Sequence, residues 1–181
     1  MRGVMEHIQK RILFSREEID GRVRELAHEI SRDYRDKDVI LVCVLKGAFI
    51  FLADLARYLT IPHTVDFVRL ASYGTGTESS GVITVTKGLD HPVEGIHVII
   101  VEDILDTGAT AAYLAELLRG MNPRSVKLCC LIDKKARRKM HCEPAYTGFV
   151  VGDGFLVGYG LDFNEQFRCL PDIYVIVERM P

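Results

Sequence analysis

The feature that most limits what this chain can fold into is a run of four β-branched residues, Val98 to Val101, that ends abruptly in the adjacent acids Glu102 and Asp103. So short an apolar run reads as a strand buried on both faces, as in parallel sheets. A third carboxylate, Asp106, follows, then the small polar loop Thr107-Gly108-Ala109-Thr110. A helical pattern runs on from Ala111 to Met121, with Leu114, Leu117 and Leu118 on one face. In open α/β sheets, ligands bind outside the carboxyl ends of the strands. A loop that opens a helix offers unpaired backbone N–H groups to an anion. Gly108 lets the backbone approach closely, and Thr107 and Thr110 add hydroxyl donors. Glu102 and Asp103 do not bind a phosphate themselves; they suit ribose hydroxyls or a hard cation such as Mg²⁺. The stretch reads as a seat for a phosphorylated sugar, against the plainer alternative of solvated acids and an ordinary helix cap.

The same arrangement recurs upstream. Val39 to Leu45 is a second buried strand, ending in Lys46-Gly47, with a helix from about Ala48 to Leu59. Lys46 thus directs a cation toward the crevice that holds Glu102 and Asp103. Before this, Met1 to Phe14 is mixed in character. Ser15 and Glu18 then form a capping box that opens a helix carrying Ile19, Val23, Leu26, Ala27 and Ile30 on its apolar face. His28 falls on its surface. Thr64 to Ala71 and Val82 to Thr86 read as strands. Between them lie ten residues, Ser72 to Gly81, with almost no apolar content, which form either a functional lid or the tip of a hairpin. Their glycines do not match a dinucleotide fingerprint.

Ser125 to Ile132 is a further strand, ending in Asp133-Lys134-Lys135, and the basic run from Lys134 to Lys139 has the composition of a solvated face. Beyond it the strand–helix alternation stops. Thr147–Val151, Phe155–Tyr159 and Ile173–Val177 are short strand-like runs that suggest a small appendage over the carboxyl edge of the sheet. The expectation is a single α/β domain over residues 1–181. Its central, mostly parallel sheet is flanked by helices, with a core at about 37–135 and a small hood from the N-terminal segment and about 136–181.

Composition narrows the class. The chain has 181 residues, 48% hydrophobic and 27% charged, enough for one domain with a real core. A formal net charge of −2 gives no general pull toward nucleic acid or an anionic membrane, so small anions must be held by local donors. The five cysteines form no CxxC pair, and Cys43, Cys129 and Cys130 lie in apolar runs, as buried free thiols in a reducing cytoplasm do. No apolar run reaches the length of a membrane span, and the N-terminus lacks the apolar core of a signal peptide.

The stretch Val98 to Thr110, with its Val-Glu-Asp-Ile-Leu-Asp-Thr-Gly core, resembles the phosphoribosyl-pyrophosphate motif of the type I phosphoribosyltransferases, and that of the hypoxanthine–guanine phosphoribosyltransferases in particular. The likeness extends from about residue 39 to residue 170 and is greatest to the short bacterial members. It implies the type I phosphoribosyltransferase fold and a purine salvage reaction. Glu102 and Asp103 would hold the ribose hydroxyls and Mg²⁺. Asp106, Thr107, Gly108, Ala109 and Thr110 would cradle the 5′-phosphate. Leu45, Lys46 and Gly47 would contact the pyrophosphate across a peptide that is cis before Lys46, with Arg168 on the far side. Ser72 and Tyr73 match the start of the flexible catalytic loop. Lys134 matches the lysine that donates to the purine 6-oxo group, Phe155 the stacking aromatic, Leu156 the position whose backbone reads the base edge, and Asp162 a ligand of a second Mg²⁺. Asp106, between sugar and base, would act as the general base. The resemblance also implies a homo-oligomer, dimer or tetramer. Phe155 taken alone reads as core.

One departure from the pattern is Ala109, where some relatives carry a lysine. Two other readings are open. A regulatory protein of the same fold, binding nucleotide and RNA or DNA, is favoured only by the basic run at Lys134 to Lys139. A transferase for xanthine or a pyrimidine would share the sugar-phosphate loop.

Overall fold

The computed structural model describes residues 8–73 and 82–179. In chain order the elements are β1 (Ile8–Phe14), α1 (Arg16–Asp33), β2 (Val39–Leu45), α2 (Phe49–Tyr58), β3 (Thr64–Tyr73), β4 (Val82–Lys87), β5 (His97–Leu105), α3 (Ala109–Arg119), β6 (Ser125–Asp133), β7 (Tyr146–Val150), β8 (Leu156–Val157) and β9 (Ile173–Arg179). A short 3-10 turn spans Lys135–Arg137. The main sheet has six strands in the order β4-β3-β2-β5-β6-β7, and a second sheet has three, β1-β9-β8. In the main sheet only β4 is antiparallel to its neighbour.

Strand periodicity divides the core into two layers, because successive side chains point to opposite faces. Leu41, Cys43, Ile99 and Val101 pack on one face with Ile19, Val23, Leu26, Phe51 and Leu55 of α1 and α2. Ile40, Val42, Val98 and Ile100 pack on the other with Leu114 and Leu118 of α3. Covering both faces is what makes β2 and β5 read as unbroken apolar runs. The thiols of Cys43 and Cys130 are sealed in these layers, and burial pushes both up to about 12, so neither is reactive.

The connections set the place of the site. From β2 the chain moves outward to β3, and from β5 it moves the other way to β6. Adjacent parallel strands whose loops diverge in this way leave a crevice at their carboxyl ends. Lys46 and residues 102–110 both open into it.

Several sequence expectations need correction. Met1 to Phe14 showed no pattern, yet Ile8–Phe14 is a strand, paired with β9. Ser72 and Tyr73 do not open a loop: they continue β3 opposite Ile83 and Val82, because backbone pairing with β4 outlasts the apolar composition. The rest of that stretch, residues 74–81, lies outside the described residues. β7, expected in the appendage, instead extends the main sheet beside β6. Arg22 ties it down from α1, donating to the carbonyls of Thr147 and Gly148 at 2.7 and 3.0 Å. α3 begins at Ala109 and ends at Arg119, two residues earlier at each end than the pattern suggested.

The capping box is present in both directions: Glu18 N donates to Ser15 Oγ at 3.3 Å and Ser15 N to Glu18 Oε2 at 2.8 Å. Replacing Ser15 with Ala removes one half of it and should cost about 1 kcal/mol of stability. A chemical denaturation midpoint unchanged in Ser15→Ala would contradict this.

Candidate active site

β5 pairs with β2 only as far as Val101, opposite Cys43, but stays paired with β6 through Leu105, opposite Asp133. Glu102 and Asp103 were expected beyond the strand's end. They lie within it, where one neighbour has stopped and the other continues. Into the gap turns the chain after β2, through a cis peptide between Leu45 and Lys46. Gly47 then sits directly against the acids: a Cβ there would lie 1.5 Å from Asp103 Oδ2. On its other side, a Cβ on Gly160 (φ +98°) would lie 2.1 Å from the Gly47 carbonyl oxygen. Two positions without side chains thus bring two loops and the end of β5 into contact.

Glu102 is only 7% exposed. Burial, and then the negative charge of Asp103, push its carboxyl well above the usual carboxylate range. Two adjacent acids in so dry a place fit a cation or several sugar hydroxyls. Asp103 is turned back on its own strand, accepting from Ile104 N at 2.8 Å.

The loop from Asp106 to Thr110 follows. Gly108 has φ +83° and caps α3 with no side chain, so the helix N-terminus stays open to an anion. Ala109 is the first helical residue, and its N–H reaches Thr107 Oγ1 at 3.4 Å. A small pocket of about 70 Å³ lies here, lined by Glu102, Thr107, Gly108, Ala109 and Thr110 among others.

This loop is braced from beneath by part of the basic run, which the sequence suggested was solvated. Arg138 donates to the carbonyls of Asp106 and Leu105 at 3.1 and 3.4 Å, to that of Cys142, and pairs with fully buried Asp133. Lys139 N and Met140 N both donate to the Thr107 carbonyl, at 2.9 and 3.0 Å. A Cβ on Gly108 would meet Arg138 Cδ at 2.8 Å. The signal in sequence was Asp133, an acid at the end of an apolar strand, which needs a buried cation.

A larger cavity of about 630 Å³ adjoins the loop and is lined by Asp103, Asp106, Lys134, Arg137, Phe155, Leu156 and Asp162 among others. Lys134 is buried, with Nζ donating to the Gly154 carbonyl at 2.6 Å. Burial lowers its pKa, and the charge of Asp106 acts against that. Phe155 is 46% exposed and meets Phe163 edge-on at 5.4 Å, which removes the core reading and leaves a ring available for stacking. Asp106 Oδ1 lies 3.0 Å from Arg137 Nε, but off the line of a hydrogen bond: it is buried without a hydrogen-bond partner. Arg137, which also reaches Asp153 at 3.2 Å, was not singled out in the sequence. A cleft of similar size, about 640 Å³, lies at the strands' amino ends around Arg32, Asp36 and Thr60, and holds none of the expected site residues.

Arg168 and Asp162 face each other at 2.8 Å. The three carboxylates expected to bind metal do not form one cluster: among the described residues no three His, Cys, Asp or Glu side chains converge. Asp162 is instead neutralised by Arg168.

A buried acid with a raised pKa makes the folded state hold its proton more tightly than the unfolded chain does. The stability it contributes is present below the ordinary value of 4.5 and falls as pH rises above it. Glu102→Gln should therefore raise the unfolding temperature at neutral pH, and the gain should disappear below about pH 4. Thermal melts across this range check the sign; a variant less stable than the parent at pH 7 would contradict it.

Known proteins share this arrangement. The phosphoribosyl transferase domain family matches residues 13–164. A hypoxanthine-guanine phosphoribosyltransferase of Bacillus subtilis is 42% identical over 173 residues, covering 96% of each chain. One from Aquifex aeolicus is 45% identical over 167 residues, 92% of this chain and 94% of that one. The crystal structure of a hypoxanthine phosphoribosyltransferase from Staphylococcus aureus superposes with a TM-score of 0.91 at 38% identity, covering 97% of this chain and 96% of the other. Sequence and fold are thus shared along nearly the whole length, and the chain belongs to the phosphoribosyl transferase domain family.

Proposed function

We propose that this chain is a purine salvage enzyme that transfers the 5-phosphoribosyl group from phosphoribosyl pyrophosphate to N9 of hypoxanthine and guanine. The products are the nucleoside 5′-monophosphate and pyrophosphate. The observation that carries this reading is one cavity bordered by a lysine donor, an exposed aromatic ring and a carboxylate oxygen with no hydrogen-bond partner, adjoining an open helix N-terminus.

The roles follow from chemistry. The loop from Asp106 to Thr110 takes the 5′-phosphate on backbone donors and the α3 dipole. Ala109 adds no charge there, so the phosphate rests on backbone and hydroxyl groups. Glu102 and Asp103 accept from the ribose hydroxyls. Phe155 stacks on the purine, beside Leu156. Lys134 carries only donors, so it pairs with a 6-oxo group and leaves a 6-amino group unmatched. Lys46, with Leu45 and Gly47, and Arg168 draw off charge from the departing pyrophosphate. The bond from the anomeric carbon to pyrophosphate breaks as N9 attacks, and positive charge develops in the sugar. Asp106 accepts the proton released from purine N7.

Mg²⁺ fits the adjacent Glu102 and Asp103 carboxylates, since this ion is commonly held by one or two carboxylates together with substrate oxygens, and a cation offsets the burial and like charge that push Glu102 up. Asp162 would add a further carboxylate once Arg168 turns to pyrophosphate. When bound, the ion supplies charge that stabilises the leaving group. Ser72 and Tyr73, the last residues of β3, are proposed to contact the substrates from the strand. We also read residues 1–181 as one phosphoribosyltransferase domain whose three-stranded sheet is the hood. A cytoplasmic homo-oligomer, dimer or tetramer, completes the reading. The free, buried Cys43, Cys129 and Cys130 support a reducing compartment, and no described helix is long and apolar enough to cross a membrane.

Asp106→Asn should lower kcat at saturating substrates by roughly 10²- to 10⁴-fold with little change in base affinity. Unaltered nucleotide synthesis would remove the general-base role. Lys134→Ala should reduce the preference for hypoxanthine over adenine by roughly 5- to 150-fold, since one lost hydrogen bond to a buried partner is worth on the order of 1–3 kcal/mol. Pyrophosphate release measured with hypoxanthine, guanine, xanthine, uracil and adenine reports both this selectivity and the class of base.

A further inference from the structure

One acidic side chain in the crevice has no part in the transfer chemistry. Glu165 Oε2 lies 2.9 Å from Lys46 Nζ and 3.3 Å from Arg168 Nη2, so a single carboxylate oxygen bridges the two cations. The cations come from distant parts of the chain, one from the turn after β2 and one from the segment before β9. Arg168 is also held by Asp162 at 2.8 Å and by the Gly160 carbonyl at 2.7 Å, so Glu165 joins Lys46 to an arginine already in place. Glu165 is 62% exposed at its side chain, so burial does not fix it there. The hydrogen bond from Lys46, with help from Arg168, holds its carboxyl below the usual range against the opposing effect of burial.

The backbone presents this side chain deliberately. Asn164 and Glu165 both adopt left-handed conformations, at φ 51° and 63°, in a turn closed by reciprocal hydrogen bonds between Phe163 and Gln166. The Glu165 amide is anchored on Asp162 Oδ2 at 2.8 Å. Residues other than Gly, Asn and Asp rarely adopt such a backbone, and they persist in it only where the surroundings over-determine it.

We propose that Glu165 is an internal stand-in for pyrophosphate. In the free protein its carboxylate occupies Lys46 and shares Arg168 with Asp162. The pyrophosphate end of the sugar donor displaces it on entry. Pyrophosphate is then held against a competing anion that stays beside it, which weakens its retention and speeds its departure. No bond is made or broken; the exchange is of one anion for another on the same two cations. This inference rests on the proposed role of Lys46 and Arg168 as pyrophosphate ligands.

Both partners of the Lys46 pair are solvent-exposed, and exposed ion pairs are weak, so the competition is modest. Glu165→Gln keeps the shape and removes the charge. It should bind pyrophosphate, titrated calorimetrically with Mg²⁺ present, about two- to tenfold more tightly than the parent, and lower the KM for the sugar donor in step. Equal or weaker binding by Glu165→Gln, with an unchanged unfolding temperature, would overturn the stand-in role and leave Glu165 as a positioning residue at most. Glu165→Asp, which keeps the charge on a shorter arm, should fall between the two. Lys46→Met tests the underlying site separately: undiminished pyrophosphate binding in that variant would refute the pyrophosphate role of Lys46 whatever Glu165→Gln does.

Discussion

At Val101 the central strand β5 loses β2 as a neighbour and keeps β6, and everything functional in the molecule hangs on that one-sided end of pairing. The ladder to β6 holds Glu102 to Leu105 extended and rigid, while the vacated side admits the turn after β2. Acids that would be mobile on a loop are held instead on a strand, in a place dry enough to push the Glu102 carboxyl well above the usual carboxylate range. Rigid placement matters here because the chemistry proposed for the crevice needs sugar, base and leaving group in line, and a misplacement on the order of 1 Å is costly.

Around that point the fold assembles contacts that only particular residues permit. Gly47 accepts Asp103 at its Cα, and Gly160 accepts Gly47. Beneath the phosphate loop a buried guanidinium and two backbone amides hold the carbonyls of Leu105, Asp106 and Thr107. Those carbonyls are satisfied on the protein side, while the N-terminus of α3, capped by no side chain, lies at the pocket that Thr107 to Thr110 line.

What could be read in the sequence, and what could not, follows from the range of each interaction. Local periodicity and capping made α1 and β2 legible, and Val39–Leu45 matches the observed strand residue for residue. The motif at residues 98–110 was legible because it is contiguous. β1 was not, since Ile8–Phe14 becomes a strand only by pairing with β9 more than 150 residues away. Ser72 and Tyr73 looked like loop because polar composition says little about backbone pairing. Arg138 looked like one more surface cation, because its buried partner Asp133 and the carbonyls it serves are assembled only by the fold. The same holds for Arg137 beside Asp106 and for Glu165 between Lys46 and Arg168.

The contact of Gly47 with Gly160 links the turn that follows β2 to the segment that carries Leu161 and Asp162 along the base cavity. With no side chain on either glycine, there is no compressible material between them, and a shift of one backbone is passed to the other. In the proposed reaction this joint couples the leaving-group side of the crevice to the base side, so a change at either glycine is expected to disturb both, whereas Leu156 and Phe155 line the cavity without taking part in that contact.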